Sequence, residues 1–248
     1  ETTAEGLLNP DCQPTDQGAS RGTKIAYRTD RLAILSSGSK DLTKAYPDDD
    51  PTTSVVGDPS YTRFVAWAVF KQRSTGKAFL FADIHLEPDN DVAGSNFYAL
   101  NRQQQARDVL AEIGRVNTSG LPVVLAGDAA SSRADKDMVT GQLWNAPYEV
   151  FTKEGRLVDP LGNTGYNAPV NPTVEKRDKT NYNSYNQFKP VAPKDPSGRL
   201  NGTYNDYILT TPMRVSEFAQ VLNIDAADNF IGVIPSDHNL IRATLWLP

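Results

Sequence analysis

The chain has 248 residues, 39% of them apolar, which is enough to bury a core and near the upper size for one domain. Its net charge of −5 excludes a protein that coats nucleic acid through broad positive charge, while leaving room for a local anion site built from a few cations and a metal. No apolar run approaches the length of a bilayer span, and the single cysteine, Cys12, excludes an internal disulfide.

Residues 1–22 are polar and turn-rich and read as an irregular lead-in. Residues 24–27 and 32–35 read as short neighbouring strands joined by a turn at 28–31. Residues 40–62, rich in Asp, Pro, Thr and Ser, read as a long loop. Large and small apolar residues then alternate over 63–70 and predict a core strand, with 78–83 as its hairpin partner. Ala106, Val109, Leu110 and Ile113 share one face of a predicted helix over 101–116. Gly120-Leu121-Pro122 ends it, and Val123-Val124-Leu125-Ala126 reads as a buried strand ending at Gly127-Asp128. A second helix is predicted from about 135 to 144, and residues 161–200 read as a long loop insertion within a single domain spanning 1–248. Strands follow at 207–210 and 215–221, then a closing pair at 230–234 and 240–247. Strands outnumber helices and most are joined as hairpins, so the expected fold is α+β with largely antiparallel sheet.

Four polar groups fall at the ends of predicted strands: His85, Asp128, Asp206 and the pair Asp237-His238. A sheet holds such groups in place, as a pre-organised site requires. His85 and His238 are the two histidines of the chain. A carboxylate beside an imidazole fixes its tautomer and stabilises the imidazolium, which suits a general base. Taken singly, each group reads better as a satisfied core histidine or a turn cap than as a functional residue.

Taken in order, these residues carry a resemblance. The pieces are Ala26 to Arg31, Arg63 at a strand start, Asp83-Ile84-His85-Leu86, Arg102-Gln103-Gln104-Gln105-Ala106, Pro122 to Ser131, Asn205-Asp206-Tyr207-Ile208-Leu209, and Ser236-Asp237-His238-Asn239. In that order the chain resembles the endonuclease/exonuclease/phosphatase superfamily, metal-dependent phosphodiesterases that include deoxyribonucleases, bacterial sphingomyelinases and inositol-phosphate phosphatases. The resemblance implies two packed, mostly antiparallel sheets flanked by helices in a four-layer α/β/β/α sandwich. It implies phosphodiester hydrolysis with Mg²⁺ (or Mn²⁺ or Ca²⁺), a nucleic acid as the leading substrate, and a secreted or cell-surface bacterial location. His238 is then the base for the attacking water or a donor to the phosphoryl oxygen, with Asp237 orienting it or touching the metal. Asp128 positions the water and is the other implied metal ligand. His85 stabilises the phosphoryl group or protonates the leaving group, Asp206 orients His85 or its neighbour, and Arg63 contacts a phosphate. A lipid or inositol phosphodiesterase, left open by the Tyr-rich stretch 182–188, and a non-catalytic scaffold are the alternatives.

Two departures stand out. The family's Gly-Asp-x-Asn-Ser places an amide donor where this chain has Ala130, and losing one such donor typically costs about a hundred- to thousand-fold in rate. Either the activity is weakened or lost, or Ala130 is a substitution made to trap a substrate. The family also opens with a strand carrying an Asn and a second ending in the metal-holding Glu, and nothing before Lys24 resembles either. The expectation is a fold lacking its first strands, completed, together with its metal site, by an upstream segment on a separate or cleaved chain.

Overall fold

The alternating run that begins at Arg63 lies inside a sheet with apolar cover on both faces. In the computed structural model, which describes residues 23–42, 63–88, 93–162, 172–195 and 200–248, the order is β1 (Leu32–Asp41), β2 (Phe64–Gln72), β3 (Ala78–His85), α1 (Phe97–Val116), β4 (Val123–Asp128), α2 (Ala146–Glu149), β5 (Lys176–Asp178), β6 (Asp206–Thr210), β7 (Arg214–Val221) and β8 (Leu240–Trp246). One sheet runs β1-β2-β3-β4-β6 and the other β5-β7-β8. The fold is α+β, two mixed sheets with few helices. The largest apolar core joins Val65, Val69 and Leu80 of the first sheet to Phe218 of the second. On the opposite face of β2, Ala66, Ala68 and Phe70 pack with Ile25.

The pairing of β3 with β4 positions the site. It is parallel, whereas β1–β2, β2–β3 and β4–β6 are antiparallel. Parallel neighbours need a crossover, and α1 supplies it. Ala106, Val109 and Ile113 bury its apolar face in the main core, as their spacing predicts. The crossover leaves the C-terminal ends of β3 and β4 side by side.

Several local expectations are corrected. Residues 24–27 form no strand: the Lys24 N–H donates to Asp83 Oδ2 at 2.8 Å, and Ile25 and Tyr27 serve as a cover over Phe70. The ladder to β2 belongs instead to β1, which reaches Asp41 in the stretch read as loop; residues 43–62 lie outside the described residues. Residues 135–144 form turns rather than a helix, because Asp side chains take the N–H groups a helix would need. Asp135 Oδ2 accepts from the Ser132 N–H at 3.0 Å, and Asp137 Oδ1 accepts from the N–H groups of Val139 and Thr140 at 2.8 Å. Residues 230–234 form no regular strand: after one bridge from Phe230 to Ile224, Gly232 takes φ +83° and leaves Ile231 and Val233 exposed. Within the predicted loop 161–200, β5 pairs with β7, and Tyr185 bridges His238. Among the described residues, no helix is long and apolar enough to cross a membrane.

Candidate active site

Register alone brings three of the candidate residues together. In the β3–β4 ladder His85 lies opposite Asp128, and in the β4–β6 ladder Asp128 lies opposite Asp206. Neighbouring strands are ~4.8 Å apart, so side chains in one such row meet at their tips. Gly127 permits the close approach: it has φ +126°, and a Cβ there would stand 2.1 Å from the Ile84 carbonyl oxygen. No other residue fits that position.

His238 arrives from the loop before β8, and the 183–187 segment holds it there. The N–H groups of Asn186 and Gln187 donate to the Asp237 carbonyl at 2.7 and 3.2 Å. Asn186 Nδ2 donates to the Ser236 carbonyl at 3.0 Å and to Asn239 Oδ1 at 2.9 Å. The Asn239 N–H donates to the Ser184 carbonyl at 2.7 Å, while Ser184 Oγ accepts from the Asn205 N–H at 2.9 Å. Ser184 and Asn186 are fully enclosed, so the His238 loop and the start of β6 are tied to one rigid segment.

The four side chains converge. His238 Nδ1 lies 2.9 Å from Asp206 Oδ2, a hydrogen bond that turns Nε2 toward Asp128. Asp128 Oδ2 stands 3.8 Å from His238 Nε2 and 3.7 Å from His85 Nε2, between the two imidazoles. Its other oxygen, Oδ1, accepts the Ala130 N–H at 2.7 Å. The electrostatics push these groups apart. Burial, then the charge of Asp206, raises Asp128 to about 6. Burial, then the positive charges of Arg63 and His238, lowers His85 to about 4, even with 41% of its side chain exposed. Burial also works against the charge on His238, but the hydrogen bond and charge of Asp206, with Asp128 and Asp237 behind, outweigh it and raise the ring to about 9. At neutral pH the site therefore holds a charged His238, a neutral His85 and an ionised Asp128.

Asp206 meets His238, and His85 faces Asp128 instead. Asp237 contributes its carbonyl to the 186–187 turn, and the group whose ligand atoms lie within 4.8 Å of one another is Asp128, Asp206 and His238. Arg63 is buried, 3.8 Å from Glu87 Oε2, and acts on the site through its charge on His85. Ala130 sits at φ +48°, a left-handed conformation that Asn tolerates better than Ala. Sequence reasoning marked 182–188 only as a Tyr-rich stretch and gave Ser184, Tyr185 and Asn186 no place in the site. The one signal there is an Asn-Ser-Tyr-Asn stretch too polar for a strand and too short for a helix.

No family model and no curated protein matches the chain. Solved structures do. A mannosyl-6-phosphatase from Bacteroides thetaiotaomicron superposes with a TM-score of 0.61 at 21% identity, over 89% of this chain and 69% of that one. An endonuclease/exonuclease/phosphatase family protein of Bacteroides thetaiotaomicron gives 0.60 at 20% identity, over 88% and 67%. The one from Bacteroides vulgatus gives 0.55 at 22%, over 90% and 69%. The fold is that of the endonuclease/exonuclease/phosphatase superfamily. The ordered motifs from Ala26 to Asn239 and the two mixed sheets thus point the same way, and human Nocturnin and D. rerio TDP2 share the fold at TM-scores of 0.51 and 0.50.

Proposed function

We propose that this endonuclease/exonuclease/phosphatase-fold chain is a divalent-metal-dependent phosphoester hydrolase, with nucleic-acid phosphodiesters as the leading substrate. One observation carries the reading: a single carboxylate oxygen, Asp128 Oδ2, lies between the Nε2 atoms of two imidazoles, one neutral and one charged. Hydrolysis needs a group to take a proton from water and a cation to meet the charge on the phosphoryl oxygens. Asp128, ionised above about 6, accepts the water proton as the new P–O bond forms. His238, still protonated below about 9, donates from Nε2 to a phosphoryl or departing ester oxygen as the old P–O bond breaks. Asp206 holds the Nδ1 proton of that ring and so fixes its orientation. His85, neutral, hydrogen-bonds the phosphoryl group from the other side of Asp128.

The donor set fits a hard divalent cation. Asp128, Asp206 and His238 present two carboxylates and an imidazole, and the mutual repulsion of the carboxylates is part of what raises Asp128. The two carboxylates would hold Mg²⁺, Mn²⁺ or Ca²⁺ while His238 keeps its protons beside them, and the cation when bound would supply Lewis-acid neutralisation of the phosphoryl charge. Mannosyl-6-phosphatase and a DNA-product complex of TDP2 among the similar structures bracket the range of phosphoesters to be tried. A scaffold without activity is the second reading, favoured by Ala130, whose side chain offers no donor to the oxyanion. Release of p-nitrophenol from mono- and bis-p-nitrophenyl phosphate, and nicking of plasmid DNA, with Mg²⁺, Mn²⁺, Ca²⁺ or EDTA, separates the two. Turnover that EDTA abolishes supports the hydrolase. No turnover by the wild type or by Ala130→Asn in any metal overturns it.

A further inference from the structure

The segment that clamps His238 also carries aromatic surface past it. The Tyr185 ring lies 4.9 Å from the His238 ring, centroid to centroid, at 46°, while 38% of the residue faces solvent. Tyr185 and His238 are also bridge partners through their backbones. Two residues on, Gln187 and Phe188 adopt φ +59° and φ +55°, consecutive left-handed conformations in residues that have a Cβ. Such strain persists only where surrounding structure enforces it. Here Asn186 enforces it: its Oδ1 accepts the Phe188 N–H at 2.8 Å, and its Nδ2 is bound to Ser236 and Asn239. The result leaves Phe188 58% exposed, three residues on from Tyr185.

We propose that Tyr185, with the exposed Phe188 three residues on, is a specificity platform that seats a flat or apolar-faced ring on the organic side of the phosphoester. This deepens the hydrolase reading and rests on it for the position of the phosphoryl group. An aromatic ring packed at a tilt on an imidazole keeps its remaining surface for a second ring, and rings prefer offset or tilted contact over water. The Tyr185 contact on His238 puts the platform next to the imidazole that serves the phosphoryl group. The two ring chemistries that fit are a nucleobase and the apolar face of a sugar.

The test measures affinity by isothermal titration in EDTA, so that binding is scored apart from turnover. The probes are adenosine monophosphate, glucose 6-phosphate and ringless glycerol 3-phosphate. Wild type is expected to bind at least one ring-bearing phosphate more tightly than glycerol phosphate. Tyr185→Ala is expected to weaken that probe about tenfold, leave glycerol phosphate unchanged, and be rescued by Tyr185→Phe. Loss confined to the adenosine arm assigns base stacking, and loss confined to the glucose arm assigns a sugar. Equal weakening of all three probes reduces Tyr185 to a prop for His238 and overturns the platform, as does wild type showing no ring preference. Phe188→Ser, at an exposed position, gives a smaller loss on the same arm and guards against a Tyr185→Ala chain that fails to fold. Ring-dependent binding without any turnover sinks the hydrolase and leaves the platform; turnover of p-nitrophenyl esters without ring preference does the reverse.

Discussion

Two clusters in this molecule pair a cation with carboxylate and aromatic groups, and they are built to opposite ends. Arg133 meets Asp159 at 2.5 Å with side chains 2% and 1% exposed, and its guanidinium lies 5.3 to 5.5 Å from the rings of Tyr148, Tyr204 and Tyr207. Against burial, the Asp159 charge and the tyrosines hold that cation above even the ordinary arginine value. Tyr148 Oη donates to the same carboxylate at 3.0 Å, so the pair is sealed and has no opening. The His238 cluster uses cations that titrate, sets two carboxylates against each other across one ladder position, and stays half-buried. A sealed pair fixes the packing between β6 and α2; an open, mutually repelling set stores unmet interactions for a ligand.

That contrast can be broken from either side. The largest effect is expected from His238→Gln, which should lower turnover by about a thousandfold, well beyond the modest stability lost with the Asp206 pairing. A comparable loss of stability would move His238 into the structural class. Arg133→Met should do the opposite, costing about 3–5 kcal/mol in denaturant titration because Asp159 is left as a buried charge with no counter-ion. Activity per folded molecule should persist. Ala130→Asn supplies an amide next to Asp128 and suits the left-handed backbone, so a rise of about a hundredfold in kcat, with a slight gain in stability, is expected. Unchanged kcat would mean that position does not face the phosphoryl group.

The smallest and cleanest measurement follows the two imidazoles by NMR in the metal-free protein. His85 should stay neutral until the pH falls to about 4, and His238 should stay charged until the pH rises to about 9. Because the folded value of His238 is raised, its pairing stabilises the fold fully at pH below the ordinary histidine range, and that stabilisation is lost as pH climbs through about 9. Asp206→Asn removes the main partner and should return His238 toward its ordinary value.

Much of this was legible residue by residue. The strand 63–70, the helix face Ala106–Val109–Ile113 and the strand end Gly127-Asp128 follow from local patterns, because burial against one core imposes them whatever lies across the sheet. Residues 135–144 misled, since apolar spacing says nothing of Asp side chains that capture backbone N–H groups. The run 230–234 misled for a similar reason: apolar content reads as burial, but Gly232 turns the chain out into solvent.

The sequence by itself determined which chemistry is present: two imidazoles, the carboxylates beside them, and motifs ordered as in the endonuclease/exonuclease/phosphatase superfamily. Only the tertiary structure decided who meets whom. Asp206 reaches His238 rather than His85, because β4 takes β3 and β6 as its neighbours and the 183–187 segment swings the last loop over that row. Strand register and loop clamping are long-range properties, fixed by packing between residues far apart in the chain, and no local pattern encodes them.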